Sequence, residues 1–145
     1  MTVDIPGWTA LATHPWAYPA LEVVHIVGIA LLLGNLVALE LRVWGAATAL
    51  PVPALARLCL GLSLAGFGLV LASGLLMFSS QPGELLANRA FVVKIGLLML
   101  GGINAALFHA RGGLQRLDGL ARAQTVMSLG LWLAVIICGR WIAYV

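Results

Sequence analysis

The run VVHIVGIALLLGNLVAL, residues 23–39, decides the fold. It is apolar except for His25 and Asn35, and with its flanks (about 18–41) it supplies roughly the 20 residues needed to cross a 30 Å hydrocarbon core. Backbone N–H and C=O groups cannot stay unpaired in lipid, so such a run is a helix. An ionisable side chain inside it is costly unless partnered, which makes His25 a functional-site candidate.

Three further spans read the same way, at about 58–78, 90–108 and 126–144. The whole chain of 145 residues is 62% hydrophobic and 9% charged, with a mean hydropathy of +1.06. A soluble domain carries about 25% charged residues, so these few charges cannot build a water-facing surface. Short connections favour antiparallel neighbours. The expectation is a single domain, all-α: an integral membrane four-helix up-down bundle in a lipid bilayer. No cleavable leader is read before the first span, which contains its own insertion signal.

Five arginines (Arg42, Arg57, Arg111, Arg116, Arg122) fall on the first and third connections. Arg89, Lys94 and Arg140 fall toward the other side. This bias predicts both termini outside the cytoplasm, periplasmic for a bacterial inner-membrane protein. The net charge of +3 is an orientation signal of this kind and not a nucleic-acid signal. IPGWTALATHP, residues 5–15, reads as a short N-terminal interfacial segment, because tryptophan favours the headgroup region and Pro6 can open a helix. Cys59 and Cys138 lie in apolar runs without CxxC spacing and read as small core residues.

The polar residues within the spans sort into two levels. At 1.5 Å per residue, Glu22, His25, Lys94 and Arg140 share the periplasmic level, and His14 can fold over them. Glu40, Arg42, Asn104 and His109 form an inner level, with Asn35 somewhat deeper. His25 and His109 differ by roughly 15–20 Å in depth, which disfavours both gripping one iron. At 100° per residue, Glu22 and Glu40 point the same way, about 60° from His25. Lys94, Gly101, Ala105 and Phe108 form one stripe on the third span. On the second span, Gly61, Ala65, Gly68 and Ala72 form a stripe of small residues expected to serve packing.

Imidazole is a common axial ligand of heme iron and a good copper ligand. Glu22 can orient that ring, while Lys94 and Arg140 can hold propionates or simply pair with Glu22. No GxSxG, HExxH, P-loop or GxGxxG pattern is present, so the chain is not expected to be an enzyme by itself.

EVVHIVGIALLLGN (22–35), LRVWG (41–45), FVVKIGLLMLGGINAALFH (91–109) and GRWIAY (139–144) together resemble a bacterial family of small four-helix inner-membrane proteins. More distantly, the layout resembles CopD-type copper-resistance membrane domains and HemJ-type protoporphyrinogen oxidases. His25 and Lys94 match their first-span histidine and third-span lysine. The HemJ resemblance implies heme b at His25, and the CopD resemblance implies copper handling at the outer face.

Three readings follow. The first is a b-type heme-binding subunit in electron transfer, or one anchoring a membrane or periplasmic redox protein. Its cofactor site would be His25, Lys94, Arg140 and Glu22. The second is a copper or small-solute transport component, with His14, Glu22 and His25 as an entry site. The third is a structural or assembly subunit, in a hetero-complex or a homo-oligomer.

Overall fold

The structure is a computed structural model that describes residues 13–145. The expected interfacial segment lies largely outside these. The described residues form helices and no strands: α1 (Ala17–Val43), α2 (Val52–Ser80), α3 (Pro82–Ala87), α4 (Arg89–Ala110), α5 (Gly113–Arg116) and α6 (Gly119–Trp141). Four of them, of 27, 29, 22 and 23 residues, are long and apolar enough to cross a membrane. At 1.5 Å per residue they reach about 33–44 Å, which exceeds the hydrocarbon thickness. Their outward faces carry Leu64, Leu71, Met99, Ile103 and Ile137, all exposed. This pattern fits a multi-pass membrane protein in contact with lipid.

Helix starts follow local chemistry. Asn88 caps α4 by accepting from the Phe91 N–H at 3.2 Å, and Asp118 caps α6 by accepting from the Ala121 N–H at 2.9 Å. Proline is tolerated in the first turn of α2, where no N–H partner is required. These starts explain two differences from expectation. The second span begins at Val52 rather than near Leu58, and the fourth at Gly119 rather than near Val126. The polar stretch 119–125 reads as a connection in sequence yet is helical, because Asp118 nucleates it. After α1 the chain turns through Gly45 at φ +102°, a left-handed conformation that favours glycine.

The spans alternate in direction. Along α1 and α2, Gly28 meets Gly66 and Val70, while Leu39 meets Ala56 and Cys59. Along α4 and α6, Asn104 meets Gln124 and Phe108 meets Ala121. A seam between α1 and α6 joins the two hairpins through Val43, Trp44, Ala121 and Thr125. This is the expected four-helix up-down bundle, and its α2–α4 side is only lightly packed. There, Phe78 stacks on Phe91 with ring centroids 5.7 Å apart. The bundle end that carries the C-terminus is called the terminal side, and the end with the Arg42–Pro51 and Arg111–Asp118 connections is the loop side.

Candidate functional site

The terminal-side site is built on the contact between α1 and α2. One turn from Gly28, His25 Nδ1 lies 2.8 Å from Ser73 Oγ. The single Ser73 proton goes to the Leu69 carbonyl at 2.6 Å, so Oγ is left to accept from the ring. The Val70 carbonyl also lies against the imidazole and can only accept. The Ser73 contact assigns the proton to Nδ1, and Nε2 then carries the lone pair in the neutral ring. Gly74 keeps the space beside the ring open: a Cβ there would sit 3.4 Å from Cε1.

Lys94 extends from α4 toward Cys138 and Gly139 of α6, with Nζ 3.5 Å from the position of a Cβ on Gly139. It lies within electrostatic range of His25. The other residues expected at this level are elsewhere. Glu22 is exposed and acts on Tyr18, one turn away on its own helix. Arg140 is exposed and folds onto Tyr144, with its guanidinium 5.0 Å from the ring centroid and a hydrogen bond to the phenol. Arg140 follows Gly139 by 100°, which turns it away from Lys94. Glu22 shares its direction with Glu40 but lies near the terminal-side end of α1, where it is exposed. His14 is exposed, and its Nδ1 accepts from the Trp16 N–H at 3.3 Å. The expected four-residue cluster is therefore the pair His25 and Lys94, with Ser73 in the orienting role.

The second-span stripe is corrected as well. Gly61, Ala65, Gly68 and Ala72 are exposed, and Gly61 and Gly68 have open space beside them. The face that packs on α1 is Cys59, Ser63, Gly66 and Ser73. Ser63 Oγ donates to the Leu32 carbonyl at 3.3 Å. Both stripes have small residues at helical spacing. Only the second places a glycine opposite Gly28, and that choice sets the contact.

A second polar level lies toward the loop side. Glu40 is 5% exposed, Asn104 5% and Gln124 9%. Asn104 Nδ2 donates to the Gln124 carbonyl at 2.9 Å, and Trp44 Nε1 donates to Thr125 Oγ1 at 2.6 Å. Thr125 Oγ1 in turn donates to the Arg122 carbonyl at 2.8 Å, and Ser128 faces the Glu40 carboxyl group. Glu40, Asn104, Gln124, Thr125 and Ser128 border a cavity of about 50 Å³.

Of the expected inner residues, Glu40 and Asn104 meet at this cavity. His109 lies on its border, exposed in the last turn of α4 and edge-on to Phe108. Arg42 turns instead to the connection, where Nε donates to the Leu50 carbonyl at 3.0 Å. Asn35 satisfies its amide within α1, on the Leu31 carbonyl at 2.8 Å. Sequence reasoning missed Ser73, Gln124, Thr125 and Ser128. The available signal was hydroxyl and amide residues at helical spacing in otherwise apolar runs.

Among the described residues, no three His, Cys, Asp or Glu side chains come together as a metal site. No family model, curated protein or solved structure matches the chain.

Proposed function

We propose that the chain is a b-type heme-binding subunit of the bacterial inner membrane, serving electron transfer or anchoring a redox partner. The carrying observation is the orientation of His25. Ser73 takes up Nδ1, which leaves Nε2 as the nitrogen with the lone pair. A histidine with one nitrogen held by a hydrogen bond and the other free is prepared to be a metal ligand.

The fit to a porphyrin is one-sided. The loop-side cavity of about 50 Å³ is far below the several hundred Å³, roughly, of a cofactor pocket. The terminal side has His25, the lightly packed α2–α4 flank, and Lys94 as a cation for a propionate. When bound, heme supplies one-electron chemistry. The chain's own part is to hold the imidazole, through Ser73, and to supply the lysine charge. Copper handling by His14, Glu22 and His25 has less support, since His14 and Glu22 are exposed and His25 turns to α2.

The test is the absorption spectrum of protein purified from heme-sufficient cells, oxidised and dithionite-reduced. The expected result is a Soret band that shifts on reduction and is lost in His25→Ala. A spectrum without a Soret band overturns the reading.

A further inference from the structure

Three buried oxygens at the loop-side cavity have no hydrogen-bond donor: Glu40 Oε2, Asn104 Oδ1 and Gln124 Oε1. They come from α1, α4 and α6, and all three residues border the same cavity of about 50 Å³. Each residue is more than nine-tenths buried. Buried polar groups without partners are rare and costly, so three around one cavity call for an occupant.

The Ser128 hydroxyl faces the Glu40 carboxyl group, and other nearby donors are engaged elsewhere. Asn104 Nδ2 donates to the Gln124 backbone carbonyl, which fixes Oδ1 as the other end of the amide. The Trp44 N–H is spent on Thr125, and the Thr125 hydroxyl on the Arg122 carbonyl. Arg42, two residues from Glu40, is engaged by the Leu50 carbonyl. Among the described residues the one ion pair is Arg111–Asp118, so Glu40 has no counter-charge. An unpaired buried carboxylate is strongly disfavoured.

We infer that this cavity binds a small monovalent cation of the sodium class, held by Glu40, Asn104 and Gln124, with the Ser128 hydroxyl beside it. One positive charge cancels the carboxylate and can be ligated by all three oxygens. A proton on Glu40 would serve only one of them. Oxygen-only ligation is what hard cations favour. A divalent ion would leave an excess charge in a low-dielectric site. The volume of about 50 Å³ accommodates a small ion with one water, at about 30 Å³ for a water in the liquid. His109, which is exposed, also borders the cavity. The inference is independent of the heme reading, which concerns the other side of the bundle.

The test uses the full chain purified in detergent, with sodium, potassium or choline chloride at constant ionic strength. Sodium is expected to raise the thermal midpoint saturably by roughly 5 °C over choline, with potassium weaker. Glu40→Gln, nearly isosteric and neutral, is expected to fold and lose this response. Radioactive sodium binding to the wild-type chain, near one ion per chain, gives a readout independent of any variant. Equal midpoints in all three salts, or no stoichiometric sodium binding, overturn the inference and leave ordered water and a protonated Glu40 as the occupants.

Discussion

Gly28 and Gly66 meet backbone to backbone: a Cβ on Gly66 would lie 2.6 Å from the Gly28 carbonyl oxygen, and one on Gly28 would lie 2.8 Å from that of Gly66. No side chain can relieve such a contact, because the opposing atoms belong to the helix backbones. Gly66→Ala therefore forces α1 and α2 apart. A loss of about 1–3 kcal/mol is expected, read as a lower thermal midpoint in detergent. Gly68→Ala is the control. Its Cβ would meet open space, and the better helix propensity of alanine makes it neutral or slightly stabilising.

Ser73→Ala removes the acceptor for His25 Nδ1. The expected cost is about 0.5–1.5 kcal/mol. A more specific readout is the nitrogen NMR signature of His25. In the wild-type chain the neutral ring has its proton on Nδ1, and in the variant the two tautomers mix. A wild-type ring protonated on Nε2 alone would refute the orientation.

The bond from Trp44 to Thr125, at 2.6 Å, crosses the seam between the hairpins. A double-mutant cycle with Trp44→Phe and Thr125→Val is expected to give a coupling of about 0.5–1.5 kcal/mol. A coupling near zero would remove this bond from the forces holding the hairpins together.

Acid should act on the loop side at Asp118. Its two oxygens receive Arg111 Nη1 at 3.0 Å and Nη2 at 2.8 Å. The Arg111 hydrogen bonds, then that from the Ala121 N–H, hold the carboxyl far below its ordinary value of 3.8. The same pairing raises the guanidinium of Arg111. A depressed carboxyl stabilises the folded chain at neutral pH. Its contribution begins to fall only as pH drops through 3.8 and is gone below the folded value. Asp118→Asn should lower the midpoint at pH 7 and show a smaller further fall in acid than wild type. Because the carboxyl is exposed, high salt should reduce the difference.

The four spans were legible because lipid imposes one rule on every residue of a crossing segment. Hydropathy alone therefore finds the helices. It does not find their polar ends: residues 119–125 carry Arg122, Gln124 and Thr125 and look like a connection, yet Asp118 starts the helix before them. Depth placed His25 and Lys94 at one level, and Glu40 and Asn104 at another. A shared depth does not say what a residue faces, and so Glu22 and Arg140, exposed near the ends of their helices, were drawn into a cluster that they do not join. The choice between two small-residue stripes on α2 was likewise open until the partner helix was in place. Ser73 and Gln124 were missed for a related reason. A lone hydroxyl or amide in an apolar run has meaning only through what faces it.

The light packing between α2 and α4 has a mechanical consequence. The two hairpins are fastened near the loop side, where Val43 and Trp44 seat against Ala121, Phe108 and Thr125. Toward the terminal side, the outward edges of the hairpins meet in the stack of Phe78 on Phe91. There the hairpins are also tied by the chain itself, through the connection 81–88 that carries α3, whereas at the seam they are held by a packed cluster and a hydrogen bond. Any parting of the hairpins at the level of His25 is therefore limited by a short tether of chain, while at the loop side it is limited by packing.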